Sequence, residues 1–537
     1  MPFYCFALAI SLGVAAHTVF GFATAIFSDD AYYYSIIARN FAESGRFTFD
    51  GTNETNGFHP LLFWIQVVLS FAIDSDASAL HFYRAVLVLS AFILLLFTGV
   101  FMFVSRRLTG TAHDHTCSYA LLFPIAFSFS PRILNGLYCG MESTLALPLC
   151  AFTILFLHSS KYLSAGLVGA LLVAARLDTF PYLVLPLSGV YACLEWQTRK
   201  SFSYALGTCL RILLPATAFV LILMVFNYVY FGHAMPIHGA LRSTFPDVHL
   251  QLHNIFSRYA LRSSISLLSV IGGGLLLLRP GQAKGRLRVL GWACVVVTLT
   301  QLLSYGLFQK WSKGIPMWYS ALPLFTGVAS LAIGMANRLP SVVFRIVALG
   351  VSLCLIVVNT MWLGRTVWHA SDSQFSIGWR GEVVQFIESL PEDALWAYTD
   401  CGQFSFWSGR RFVNLDGLVN NVEYQDRLRR GELWDYLQEN GVRYLIAGVW
   451  DREQTTRRPK CEPMYKYRVA PEVLAGDYDY CRFYVYSHLY DVYSDELLLP
   501  REAEIWRSSG HVDGSANARS VVYDLHLVAK HADAPAE

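Results

Sequence analysis

The sequence predicts a polytopic α-helical membrane protein with about eleven transmembrane helices and a C-terminal water-soluble α/β domain. Three observations carry this expectation. Of the 537 residues, 54% are apolar and only 15% charged, whereas a soluble domain carries roughly 25% charged residues. Apolar runs approaching or reaching the length of a bilayer core, about 17–25 residues per helix, recur along the first 371 residues. The net charge of +2 also hides a division: residues 1–371 carry 23 Lys and Arg against 12 Asp and Glu, whereas residues 372–537 carry 18 against 27. The first segment, at +11, reads as a membrane body and the second, at −9, as a domain in water. No basic block stands clear of the apolar runs, which argues against a nucleic-acid partner.

The runs fall at 3–27, 81–104, 117–131, 143–158, 162–176, 179–194, 205–231, 263–279, 289–308, 317–336 and 346–364. The shortest lie between 117 and 194. Residues 61–73 (LLFWIQVVLSFAI) are apolar but too few to cross, so an interfacial or re-entrant helix is expected. The first run ends near Ala23-Thr24-Ala25, which resembles a signal-peptide cleavage site. No Lys or Arg precedes it and it is long for a signal sequence, so an uncleaved helix is the better reading.

Alternating sides from an inner N-terminus puts Arg106, Arg107, Lys161, Arg199, Lys200, Arg279, Lys284, Arg286, Arg288, Arg338 and Arg345 inside, as the positive-inside rule requires. Of the twelve acids in this body only Asp114 and Glu195 fall inside. The outer side receives residues 28–80, the tail, and cations that the inside bias does not explain, among them five of interest: Arg132, Arg176, Arg242, Lys310 and Lys313.

In the tail, 381–390 and 422–440 read as helices, and 394–399, 443–449 and 482–489 as strands. The eleven cysteines show no CxxC or zinc-finger spacing. Most lie in apolar runs, where Cys behaves as a small hydrophobe. Cys461 and Cys481 are candidates for one disulfide if the tail faces an oxidising compartment.

The outer loop at 28–60, SDDAYYYSIIARNFAESGRFTFDGTNETNGFHP, is the most informative stretch. Asp29 and Asp30 follow directly on an apolar run. Adjacent carboxylates at a membrane boundary are costly unless they are paired, bind a cation or do chemistry. Their mutual repulsion raises one pKa, which suits a general base. The competing reading is a helix cap. Tyr33 stands behind the pair, and His59 precedes the re-entrant run, where it either meets a ligand or caps the helix.

The run DDAYYYSIIARNFAESGRFTFDG…TNGFHPL resembles the first outer loop of GT-C membrane glycosyltransferases. These include the protein mannosyltransferase and aminoarabinose transferase relatives and the mycobacterial terminal arabinofuranosyltransferases. More closely, the chain resembles a group of bacterial membrane proteins of that superfamily, through NGLYCGMES (135–143), AARLDTFP (174–181), HGALRSTFP (238–246), MWYSALP (317–323) and FVNLDGLVNN (412–421). The resemblance implies the GT-C fold and a catalytic Asp in the first outer loop. It also implies a polyprenyl-phosphate-linked sugar donor, inversion at the anomeric carbon, and a bacterial inner membrane with the site and tail on the periplasmic side of the cell envelope.

On that footing Asp29 is expected to be the base and Asp30 its orienting partner, although the two could exchange roles. The five outer cations are candidates for the donor phosphate, by bidentate contacts from Arg or point charge from Lys. Singly, each could also be snorkelling toward headgroups. Glu142 either orients the acceptor, pairs with an Arg or caps the next helix. Tyr33 and Asp178, which follows Arg176, are further substrate-binding candidates, and Asp416 sits in a turn signal that could also face acceptor. Trp318 and Tyr319 read as interfacial belt residues, with sugar stacking the lesser alternative. The acceptor is a glycan, lipid or protein hydroxyl. Two carboxylates could hold a divalent cation, but no third oxygen ligand is identifiable, so no essential metal or other cofactor is expected. The competing classes are a transporter or flippase for a lipid-linked or anionic substrate and a non-catalytic glycan-assembly scaffold. The transporter would place ionisable residues near mid-span.

Overall fold

The computed structural model describes residues 29–73, 79–109, 140–251, 261–278, 286–310, 315–340, 342–344, 346, 347, 350, 379–450, 480–511 (without 484, 488, 491 and 496) and 518–532. The runs at 3–27 and 117–131, most of that at 346–364, Arg132, Lys313 and the candidate Cys461–Cys481 bridge lie outside these residues.

The described body is helical: α1 (Asp29–Ser44), α2 (Pro60–Ala72), α3 (Ala79–Thr109), α4 (Ser143–His158), α5 (Tyr162–Ala175), α6 (Leu185–Arg199), α7 (Phe202–Phe231), α8 (Ile237–Arg242), α9 (Leu261–Leu278), α10 (Arg286–Phe308) and α11 (Met317–Arg338). Most begin and end within a few residues of an apolar run. Among the described residues, three helices are long and apolar enough to cross a membrane: Phe202–Phe231, Arg286–Phe308 and Trp318–Arg338. The longest, α7, is capped by Ser201, whose hydroxyl accepts the Tyr204 N–H at 3.4 Å. Its 30 residues would run about 45 Å at 1.5 Å per residue. Leu206, Leu210, Leu214, Leu221 and Ile222 on this helix are exposed, a surface that lipid rather than water suits. Helix α2 is short, as its run predicts, with Trp64, Val68 and Phe71 facing outward.

Helix α5 separates two polar ends. At its first turn the Tyr162 hydroxyl donates to Glu195, which also accepts from Arg199 at 3.0 Å and faces Arg286 at 3.8 Å. Directly after its last turn stands Arg176. Glu195, Arg199 and Arg286, all assigned inside, thus meet at one end of α5, and Arg176, assigned outside, stands at the other.

The tail contains α12 (Trp379–Glu388), β1 (Leu395–Tyr398), α13 (Gly402–Ser408), β2 (Phe412–Asn414), α14 (Val422–Arg430), α15 (Leu433–Glu439), β3 (Val442–Trp450), β4 (Tyr480–Phe483), β5 (Tyr486–Ser487), β6 (Val492–Tyr493), β7 (Leu497–Pro500), β8 (Glu504–His511), β9 (Ala518–Asp524) and α16 (Leu525–Ala532). Five strands form one sheet in the order β2-β1-β3-β9-β8. The fully buried β1 pairs parallel with β2 and β3, and β9 pairs antiparallel with β3 and β8. Two expectations are corrected. Residues 422–440 form two helices, because Gly431 at φ +73 ends α14 in the left-handed conformation that favours glycine. The strand expected at 482–489 is divided between β4 and β5, which pair with different partners.

The first loop and the tail are joined closely. The Thr55 hydroxyl donates to the Asn420 carbonyl at 2.8 Å, and Asn53 Nδ2 to Asn440 Oδ1 at 3.0 Å. Asn414 Nδ2 donates to the Tyr33 hydroxyl at 3.1 Å and to the Thr399 carbonyl at 2.7 Å. At Gly57 the two backbones approach so closely that a Cβ would collide with the Leu418 carbonyl oxygen and meet Val419 Cα at 3.0 Å. Gly57→Ala is therefore expected to destabilise the protein by about 1–3 kcal/mol through overpacking. A thermal scan in detergent checks this, and an unchanged midpoint would show that the junction yields.

Candidate active site

A cavity of about 500 Å³, including its open mouth, lies where α1, α8, the starts of α2, α4 and α11, and the tail converge. Asp30, His59, Glu142, His238, Arg242, Trp318 and Tyr319 line it, and Leu418 and Val419 reach it from the tail. It gathers stretches of chain far apart in sequence, including parts of each of the motifs above except AARLDTFP.

The two aspartates part company. Asp29 turns to the tail, its carboxylate accepting the Gln403 N–H at 2.9 Å and the Gly402 N–H at 3.3 Å, at the start of α13. Asp30 is the acid of the pair that lines the cavity. Tyr33 lines it too, but its hydroxyl is held by Asn414 and donates to the Thr399 carbonyl at 3.3 Å. Burial pushes that phenol well above its ordinary pKa, with Asp416 and Asp29 adding to the effect, so it stays protonated.

His59 precedes α2 without capping it through its side chain. It is buried, stacks against Tyr34 with ring centroids 6.5 Å apart, and meets the His238 ring at 4.6 Å. Burial lowers both imidazoles, His59 well below its usual value and His238 to about 4, with Arg242 the second cause at His238. Both rings are neutral near pH 7. Glu142, directly before α4, likewise makes no side-chain cap. It is 0% exposed, with His59 Nε2 at 4.0 Å and Arg176 Nε at 3.9 Å from its Oε1. Burial raises its pKa to about 7, against the pull of Arg176.

Arg176 is corrected as a phosphate ligand. It is 0% exposed, and its donors are committed within the protein: Nε to Asp178 Oδ1 at 3.1 Å, Nη1 to the Trp318 carbonyl at 2.7 Å, and Nη2 to Asp178 Oδ2 at 2.7 Å and the Tyr305 hydroxyl at 3.0 Å. Its guanidinium also lies 4.3 Å from the Tyr319 ring centre. Asp178 is its bidentate partner rather than a cavity residue, and also accepts from Tyr305 at 2.8 Å. Asp416 turns the NLDGLVN loop: its Oδ1 accepts the Leu418 N–H at 3.0 Å, which carries Leu418 and Val419 over the cavity.

Arg242 is the Arg that lines the cavity, half-buried at the end of α8. Lys310 is held next to it in space by a backbone hydrogen bond, its N–H donating to the Arg242 carbonyl at 2.9 Å, but does not line the cavity. Sequence reasoning missed His238, and for Trp318 and Tyr319, which line the cavity, it preferred the belt to the sugar-stacking alternative. A signal for His238 was present: it stands four residues before Arg242, on the same helical face. Asp30, Glu142, His59 and His238 share the cavity, yet among the described residues no three His, Cys, Asp or Glu side chains form a group that could hold a metal ion.

Residues 367–493 match a family model described as "Domain of unknown function (DUF8728)". A search of curated proteins finds no match for the chain. Among solved structures, ArnT from Cupriavidus metallidurans bound to undecaprenyl phosphate superposes with a TM-score of 0.50 at 14% identity, over 83% of this chain and 92% of that one. The oligosaccharyltransferase AglB from Archaeoglobus fulgidus, in complex with an inhibitory peptide and a dolichol-phosphate, gives 0.46 at 11% identity over 82% and 69%. An A. fulgidus oligosaccharyltransferase complex with zinc and sulfate gives 0.45 at 11% over 92% and 74%. The chain thus has a GT-C-like membrane fold, the class that the first-loop motif implied.

Proposed function

We propose that the protein is an inverting glycosyltransferase that moves a sugar from a polyprenyl-phosphate-linked donor to an acceptor hydroxyl, with Asp30 as general base. The observation that carries this reading is the placement of one carboxylate, Asp30, and one guanidinium, Arg242, on the wall of one cavity at the polar end of the helices. Asp30 takes the proton as the acceptor oxygen bonds to the anomeric carbon from the face opposite the phosphate. The anomeric C–O bond breaks, its electron pair stays on the phosphate oxygen, and Arg242 stabilises that charge. Asp29 acts as the anchor that fixes the start of α1 against the tail. The structural likeness to ArnT, a protein seen with undecaprenyl phosphate, supports the lipid-linked donor. The reaction is written with no essential metal, Arg242 carrying the leaving group's charge. The resemblance of the motifs to those of bacterial GT-C proteins supports a bacterial inner membrane, and the charge asymmetry of the loops supports an outward, periplasmic placement of the cavity and the 372–537 domain.

The testing experiment is transfer of labelled sugar from a panel of polyprenyl-phosphate donors by the purified protein in detergent. Arg242→Ala is expected to weaken donor use by about a hundredfold, and Arg242→Lys by less, since it keeps the charge but not the fork. Binding of no lipid-phosphate sugar by the wild type would overturn the assignment.

A further inference from the structure

Glu142 is a fully buried carboxyl on the cavity wall, and neither of its oxygens has a hydrogen-bond partner among the described residues. The nearest cation, Arg176, is 3.9 Å away and already engaged by Asp178, Trp318 and Tyr305. His59, at 4.0 Å, is buried beside a second imidazole. The other ionisable groups facing this end of the cavity are Asp30 and Tyr34 from α1, His238 and Arg242 from α8, and Tyr319 from α11. An ionised carboxylate buried without donors is strongly disfavoured, whereas a neutral acid retains one O–H to give.

Resting on the glycosyl-transfer reading, we propose that Glu142 works as a neutral acid, donating a hydrogen bond to a hydroxyl of an uncharged sugar bound in the cavity. Its role is thus opposite to that of Asp30, which must be ionised to accept a proton. Two like carboxyls can divide the work in this way because their surroundings differ: Asp30 is half-buried, and Glu142 is fully buried beside His59 and Arg176. The upward shift of Glu142 to about 7, caused first by burial, agrees. A neutral donor at this position favours a sugar hydroxyl over an ammonium, so neutral sugars are the expected class and amino sugars are not.

Infrared difference spectra between the wild type and Glu142→Gln, both in detergent, read the protonation state without any substrate. A protonated-carboxyl stretch present in the wild type at pH 6, absent from the variant and fading as pH rises through about 7 is expected. Its absence at pH 6 would overturn the proposal. In transfer assays with polyprenyl-phosphate-linked neutral hexoses and pentoses, Glu142→Gln is expected within about threefold of wild type, because its amide still donates. Glu142→Ala is expected to lose about tenfold to a hundredfold. Equal losses in both variants, or a wild-type preference for the amino-sugar counterparts, would overturn it. Should the wild type transfer no sugar at all, the glycosyltransferase reading fails, while the infrared result still decides the state of Glu142.

Discussion

Replacing Asp30 with Asn is expected to lower sugar transfer by about a thousandfold, the usual scale for loss of a general base, while donor binding and fold are retained. Asn is isosteric with Asp but cannot take the acceptor proton. The same change at Asp29 is expected to cost about tenfold or less. Its amide oxygen can still accept a backbone N–H from the start of α13, where the carboxylate now holds Gly402 and Gln403. Single-turnover transfer, measured beside size-exclusion profiles of both variants, separates the two residues. A dead Asp29→Asn with an active Asp30→Asn would exchange their roles.

Arg176→Ala is expected to damage stability rather than donor recognition. It removes the guanidinium that holds Asp178 and the Trp318 carbonyl and faces Glu142. Breaking a buried ion pair from one side costs about 3–5 kcal/mol, because the surviving charge is left without compensation. Arg176→Lys is expected to recover only part of that loss, since an ammonium cannot reproduce the two-pronged contact. The thermal midpoint in detergent checks both variants. A variant as stable as wild type but unable to bind donor would return Arg176 to the phosphate site.

Much of this architecture could be read from the chain because helix ends carry local signals. The apolar run at 205–231 stops where Gly232 begins, and the run at 61–73 is too short to cross. The carboxylate pair announced itself by position. Which member faces the cavity was not legible: neighbouring helical residues point about 100° apart, and the choice is made by α13, more than 370 residues further on. Arg176 misled for a similar reason. Its partners Tyr305 and Trp318 lie 129 and 142 residues away, so their demand on its donors leaves no local trace. Gly431 did leave one, and a glycine inside a polar helical pattern marks an end.

The contact between Gly57 and the Leu418–Val419 backbone has a consequence for anyone building chimeras. Two main chains that touch with no side chain between them leave no room for compensating substitutions on either side. A C-terminal half transplanted from a protein of the same fold will seat only if its own turn follows the same path, so domain exchanges should move the loop at 50–59 and the turn at 414–421 as one cassette.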